Sequence, residues 1–159
     1  ATFNHYCLDG MIRVTDPDQW RKDVAVMKRA AQELPIMIQE LGCPVGFARD
    51  GRNRPQGAED ILQSSLETQN AHMAFFRDLY LNDPQFRAAT LFQLYDWSPD
   101  LTRLFADTLR AEGLPVLADR FDAWLRTIGL CRWETGACRP AWDKWLAALT
   151  AFGEDRERR

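Results

Sequence analysis

The stretch "LPIMIQELGCPVG", residues 34–46, decides the expected fold because it reads as a strand buried inside a sheet. Ile36, Met37 and Ile38 are consecutive apolar residues, which is typical of parallel strands covered on both faces. Glu40 then ends the strand, although an unpaired carboxylate is costly to bury. The two-residue period of a strand places Glu40 on the face of Ile36 and Ile38. This carboxylate is the first candidate functional residue.

The segments around this strand predict a β-α-β-α-β order. Residues 2–8 and 87–97 have the aromatic and β-branched composition of strands, and 35–41 is the buried strand itself. A helix begins at the N-cap Asp16 and runs to residue 34, and a longer one covers 58–82. Strands that alternate with helices favour parallel pairing through right-handed crossovers.

The rest of the chain predicts helices. Ser98 caps a helix that continues to about residue 112, and further helices are expected over 115–128 and 140–152. Residues 129–138 read as a short segment that contains a turn. We therefore expect one domain over residues 1–153, followed by a charged tail at 154–159.

The composition is that of an ordinary soluble domain. Of the 159 residues, 46% are apolar and 27% are charged, and the net charge of −3 gives no reason to expect nucleic acid or an anionic membrane as partner. No apolar run approaches the roughly 20 residues of a membrane span. We expect no signal peptide within these residues, and a cytoplasmic or a secreted location is left open.

The cysteines and tryptophans give weaker predictions. Four cysteines and two histidines without a Cys-x-x-Cys pair predict no metal site. Reduced, buried cysteines are the favoured interpretation, and a hairpin disulfide between Cys131 and Cys138 is the alternative. Six tryptophans supply flat faces that stack on sugars. Of these, Trp133 and Trp142 are expected in the core.

The main functional signal is the set of polar and aromatic residues at the ends of the three predicted strands. The carboxyl ends of parallel strands meet at one edge of a sheet, where such folds carry their sites. That edge would bring together the residues His5, Tyr6, Asp9, Glu40, Asp96 and Trp97. A pair of carboxylates there suits glycoside hydrolysis, with about 5 to 5.5 Å between them in retaining enzymes.

Four of these residues also have a structural interpretation. Glu40 is equally well explained by bonds to loop N–H groups or to an arginine of "FARDGRNR". Asp96 fits a turn before the helix cap, and Trp97 fits plain packing. His5 is more often a positioning or core histidine than a base.

Three segments together resemble the C-terminal half of (β/α)8-barrel glycoside hydrolases of the large retaining clan A. They are "LPIMIQELGCPVG", "QSSLETQNAHMAFF" and "ATLFQLYDWSP", and the closing "LRTIGLCRWETGACRPAWDKWLAAL" is similar to the end of such barrels. In that clan the glutamate of "kPi-x-x-x-E-x-G" on strand seven is the nucleophile, which matches Glu40. "FNHYCLD" resembles strand six. The resemblance covers roughly residues 1–150, and it lacks the strands that carry the acid/base glutamate.

The resemblance implies an α/β fold, a partial (half) TIM barrel with a parallel βαβαβ core and additional C-terminal helices. It implies an enzyme that cleaves a β-linked glycoside, like a β-galactosidase or β-glucosidase, with Glu40 as nucleophile and no cofactor. Because the strand that carries the family's acid/base is missing, we expect Asp96, at the end of the third predicted strand, to replace it. Asp9 and Glu59 are alternative acids. The expected sugar-binding residues are Asn4, His5, Tyr6, Asp9, Gln69, Tyr95 and Trp97.

Three exposed strands cannot close a barrel, so we expect a homo-oligomer that covers the open sheet edges. The strand that carries the acid/base is missing, and we expect a reduced half-barrel that is still active. The alternatives are an inactive fragment and a site that a second half of the barrel completes. A noncatalytic carbohydrate-binding or assembly module is the alternative function. A third hypothesis is an unrelated small α/β enzyme with residues 42–57 as a lid.

Overall fold

The computed structural model describes residues 1–10, 12, 14–45 and 66–157, with the backbone alone for 151–157. Three strands and five helices lie within these residues. They are β1 (Thr2–Tyr6), α1 (Pro17–Ala31), β2 (Ile36–Gly42), α2 (Leu66–Asn82), β3 (Phe86–Leu91), α3 (Pro99–Ala111), α4 (Pro115–Leu125) and α5 (Pro140–Glu157). The predicted β-α-β-α-β order followed by helices is confirmed.

The strands form one parallel sheet in the order β1-β2-β3, with β2 in the centre. The fold is therefore mixed α/β with a parallel βαβαβ core, as predicted. Within the described residues, β1 and β3 each pair with β2 alone. That arrangement is compatible with part of a larger α/β fold, and a half TIM barrel stays a prediction.

Helices α1, α2 and α5 pack on one side of the sheet, which we call the helix face. Its core contains Ile36, Ile38 and Leu41 of β2 together with Met27 of α1 and Phe76 of α2. The opposite side, the open face, carries Asn4, Met37 and Gln39, all exposed, with Met37 at 46%. No described helix covers the middle of the open face, so functional groups there are accessible.

The helix starts follow the sequence signals. The Asp16 carboxylate accepts a hydrogen bond from the Gln19 N–H at 2.9 Å, and the Ser98 hydroxyl accepts one from Leu101 at 3.4 Å. A proline occupies the first turn of both helices, where its missing N–H costs nothing. The first part of the predicted 58–82 helix, residues 58–65, and most of the predicted lid, residues 46–57, lie outside the described residues.

The third strand is shorter than predicted. It ends at Leu91 rather than at Trp97, and its last backbone bond to β2 runs from the Phe92 N–H to the Leu41 carbonyl at 2.8 Å. Beyond it the chain pairs with residues 129–131: the Cys131 N–H donates to Leu94 at 2.7 Å, and the Asp96 N–H donates to Cys131 at 3.0 Å. Asp96 and Trp97 therefore do not end a strand of the sheet, because their backbone partners come from a distant segment.

The cysteines are not reduced, contrary to the favoured interpretation. Cys7 pairs with Cys43 and Cys131 pairs with Cys138, which leaves no free thiol. Cys7 follows β1 and Cys43 follows β2, so this disulfide joins the carboxyl ends of two adjacent parallel strands. Such bonds persist in oxidising compartments.

We expect the Cys7–Cys43 disulfide to stabilise the fold more than the Cys131–Cys138 disulfide. The first closes a separation of 36 residues and the second one of 7. Loop-closure entropy then gives about 4 kcal/mol for the first bond and about 2 kcal/mol for the second. Urea unfolding of the two double Cys→Ala variants measures the difference, and equal or reversed losses would contradict this assignment.

Two tryptophans were expected in the core, and only one lies against it. Trp142 packs against the main cluster, whereas Trp133 is 55% exposed on the loop closed by Cys131–Cys138. Among the described helices, none is long and apolar enough to span a membrane.

Candidate functional site

Glu40 lies near the carboxyl end of the central strand, but not on the face that the sequence predicts. Ile36, Ile38 and Leu41 all join the helix-face core, so the alternation breaks between Ile38 and Leu41. The pairing with both neighbouring strands is irregular at this place. Such an irregularity re-aims the side chains next to it. Glu40 consequently turns to the open face, where it is partly exposed.

Tyr6 holds one oxygen of the Glu40 carboxylate. Its hydroxyl donates a short hydrogen bond to Oε2 of Glu40, which joins the ends of β1 and β2. Burial, then this hydrogen bond and the carboxylate charge, raise the pKa of Tyr6. Tyr6 therefore remains a donor at neutral and mildly alkaline pH. No described residue donates to the other oxygen, Oε1.

Phe92 and Trp124 form an aromatic wall beside Tyr6. Tyr6 makes edge contacts with Phe92 and with Trp124, at ring-centroid distances of 5.8 and 5.3 Å. Phe92 stacks on Trp124 at 6.3 Å. Trp124 comes from α4, and its indole N–H is buried without a partner among the described residues. These rings hold the Tyr6 ring in place, and one of them carries an unsatisfied buried donor.

Sequence reasoning missed Phe92 and Trp124. Phe92 directly follows β3, so its place at the strand end was a usable signal. Trp124 lies in the interior of a helix, and only tertiary packing brings it to the sheet. Trp97, the predicted sugar platform, instead packs on Phe105 of α3 at 5.6 Å. The structure thus places Trp124 next to Tyr6, and it places Trp97 in the packing of the helices.

Asn4 is the other predicted site residue on the open face. It is exposed and is the register partner of Glu40 across the β1–β2 ladder. Asn4 and Tyr6 therefore flank the carboxylate from the same strand.

Two other predicted site residues lie away from the sheet. Tyr95 is 46% exposed, and its backbone bridges to Cys131 rather than to the sheet. Asp9 lies on the loop after β1, in an open hollow beside the start of α1.

His5 faces the helices rather than Glu40. Its Nε2 lies 3.2 Å from Asp23 Oδ2, and its Nδ1 lies 3.0 Å from His72 Nε2. Neutral rings with the proton on Nε2 satisfy both contacts. Burial lowers the pKa of His5, although Asp23 opposes the change. Burial and then the neighbouring His5 charge lower the pKa of His72 well below its ordinary value.

These two histidines make stability depend on pH. Because folding lowers both pKa values, the unfolded chain binds more protons below its histidine pKa of about 6.5. The stability present above that pH is therefore lost as the pH falls. The slope of the unfolding free energy approaches about 1.4 kcal/mol per pH unit for each histidine.

We expect His72→Leu to reduce the combined histidine slope of the unfolding free energy to about half or less between pH 6.5 and 5, because one of the two titrating rings is gone. Urea unfolding of both proteins at several pH values measures it. Parallel slopes in the two proteins would contradict the assignment. The carboxylates are the same in both proteins, so their contribution to the slope cancels when the two slopes are compared.

Asp96 is held by a buried ion pair. Its Oδ1 accepts from Arg139 Nη1 and from the Gly129 N–H, each at 2.9 Å, and its Oδ2 accepts from Arg139 Nη2 at 2.6 Å. Burial raises the pKa of Asp96, although these donors oppose the change. Both oxygens are engaged, so this ion pair fastens the segment at 129–139.

Gln69 is also structural in this geometry. It is fully buried on α2, and its Nε2 donates to the carbonyls of Cys43 and Gly129 at 2.8 and 3.2 Å. A polar residue in the apolar stripe of the helix is thereby explained. It ties the segment after β2 to the segment before the Cys131–Cys138 loop, and it does not reach the open face.

The described residues form no group of three metal-ligating side chains. The contacts described above define the candidate site as Glu40 with Tyr6, Asn4, Phe92 and Trp124 on the open face. Glu59, an alternative acid in the sequence analysis, lies outside the described residues.

Neither a protein-family model nor a curated protein sequence matches this chain.

Proposed function

We propose that this chain supplies the nucleophile of a glycoside hydrolase that cleaves β-linked glycosides with retention, and that Glu40 is that nucleophile. One observation carries the proposal. A partly exposed carboxylate at the end of the central parallel strand has one oxygen held by Tyr6 and the other without a donor among the described residues. The resemblance to retaining barrel enzymes supports the same role.

The chemistry assigned to Glu40 is nucleophilic attack on the anomeric carbon. Oε1 bonds to that carbon as the glycosidic bond breaks, the leaving oxygen takes a proton from an acid, and a glycosyl ester remains. Water then hydrolyses the ester and the glutamate is released. Tyr6 keeps the carboxylate in one orientation through Oε2. Phe92 and Trp124 pack against the Tyr6 ring and so hold the hydroxyl that orients the carboxylate.

Among the described residues, no second carboxyl group is seen beside Glu40 to act as the acid/base. Asp96 has both oxygens engaged by Arg139 and Gly129. A retaining site needs the second carboxyl group about 5 to 5.5 Å from the first. We propose that it comes from a further half of the barrel, in the simplest case a second copy of the chain, which would also cover β1 and β3.

A noncatalytic carbohydrate-binding module is the second candidate. The absence of a described second carboxylate beside Glu40 favours it, since one carboxylate and an aromatic wall suffice to bind a sugar. The two functions differ in turnover. A binding module retains sugars on the open face and leaves their glycosidic bonds intact.

The test is a panel of 2,4-dinitrophenyl and methyl β-glycosides of galactose, glucose, mannose and xylose. The dinitrophenolate leaves without a proton, so it requires the nucleophile but no acid. Turnover of one dinitrophenyl glycoside supports the proposal, and turnover of its methyl counterpart shows in addition that an acid/base is present. Saturable binding without turnover of either supports the binding module instead. Light scattering on the same sample tests the proposed second copy.

A further inference from the structure

A cavity lies on the helix face, on the opposite side of the sheet from Glu40. Its volume is about 230 Å³, and it is enclosed by α2, β3 and α5. Phe76, Ala88, Ala89, Trp145 and Ala148 form much of its wall. The lining residues from β3 and α5 include three alanines, whose small side chains leave space beside Phe76 and Trp145.

The cavity has the size of a small apolar molecule. An apolar cavity of about 150 Å³ holds benzene, so by proportion 230 Å³ holds about nine carbon atoms. Its floor is closed by Leu41 and Phe76, both buried. An occupant would therefore place an apolar body there, with its remaining end directed towards solvent.

Two arginines, Arg77 and Arg87, belong to the lining of this cavity. Arg77 pairs with its neighbour Asp78, which leaves one net positive charge from these three residues. Arg87 is exposed and has no carboxylate partner among the described residues. A guanidinium offers two parallel donors that match a carboxylate.

We propose that this cavity binds a monocarboxylate with an apolar body of about eight or nine carbon atoms. The apolar wall buries the body, and Arg87 binds the carboxylate at the mouth with Arg77 beside it. The site is separate from Glu40, because the two lie on opposite faces of the sheet. The proposal holds whether or not the chain hydrolyses glycosides.

The experiment measures binding of nonanoate to the full chain by calorimetry and by ligand-observed NMR. Nonan-1-ol tests the need for charge, and butyrate tests the need for the apolar body. We expect nonanoate to bind one site with a Kd below about 1 mM and both comparison compounds to bind at least about fivefold more weakly. Failure of nonanoate to saturate one site overturns the proposal, as does nonan-1-ol binding equally well.

Two variants locate the site. Ala148→Leu fills the cavity and is expected to weaken nonanoate binding at least about twentyfold. Arg87→Gln is an exposed change that leaves the core intact, and it is expected to weaken nonanoate about fivefold while nonan-1-ol binding stays the same. Arg132→Gln, on the distant disulfide loop, is the charge-matched control and is expected to have no effect.

If Ala148→Leu does not fold, Arg87→Gln and its control decide the question alone. Unchanged affinity in Arg87→Gln, or an equal loss in Arg132→Gln, overturns the proposed carboxylate contact. Unchanged affinity in a folded Ala148→Leu variant overturns the location.

Discussion

Replacing Glu40 by glutamine is expected to lower kcat/KM for the turned-over dinitrophenyl β-glycoside by about 10⁴ or more. The variant keeps the shape of the side chain and an oxygen for Tyr6, but it removes the charged nucleophile. Losses of this size are typical when a covalent catalyst is deleted. Steady-state release of dinitrophenolate at neutral pH measures the change.

Glu33→Gln is the matched control, because it removes one exposed carboxylate at the turn before β2. Its kcat/KM is expected to stay within about twofold of wild type. Equal activity in wild type and Glu40→Gln would exclude Glu40 from the reaction. A thermal melt of both variants shows whether either loss reflects unfolding.

Asp96→Asn is expected to lower the free energy of unfolding by about 3 to 5 kcal/mol. The side chains of Asp96 and Arg139 are only 4% and 8% exposed, so the variant leaves a buried guanidinium without its counter-charge. For a chain of this length, that corresponds to a fall in Tm of about 10 °C. Urea unfolding and calorimetry measure the two quantities.

Asp107→Asn serves as the surface control. Asp107 pairs with Arg110 at 2.7 Å, but both side chains are exposed, so we expect a loss of at most about 1 kcal/mol. Similar losses in the two variants would contradict the structural role of Asp96. If Asp96→Asn folds normally and loses only the hydrolysis of methyl glycosides, then Asp96 is the acid/base after all.

The helical periodicity and the capping residues were readable from the sequence. Trp20, Val24, Met27 and Ala31 repeat at helical spacing, and all four are buried on α1. Asp16 and Ser98 cap the helices that follow them. These signals are local, because they depend on residues within one or two turns of the same helix.

Three of the errors depend on contacts between distant segments. A strand period of two cannot show the irregularity that turns Glu40 to the open face. Nothing near Leu91 in the sequence reveals that residues 94–96 pair with Cys131. The Cys7–Cys43 disulfide likewise depends on β1 and β2 being neighbours in the sheet.

The candidate site was predicted in part. Glu40 and Tyr6 were expected at neighbouring strand ends, and the structure joins them by a hydrogen bond. His5 was expected with them, but it is adjacent to Tyr6 in β1, so strand alternation sends it to the helix face. Asp96 was expected as the second carboxylate, and its arginine partner lies 43 residues further along the chain.

The most direct test of the central claim is to incubate the protein with a 2,4-dinitrophenyl 2-deoxy-2-fluoro-β-glycoside of the preferred sugar. The fluorine slows hydrolysis of the glycosyl ester, so the intermediate accumulates. We predict a mass increase of one fluorosugar on the intact protein, located by peptide mapping at Glu40 and absent in Glu40→Gln. Labelling of another carboxylate, or turnover of the unmodified glycoside without any labelling, would contradict the claim.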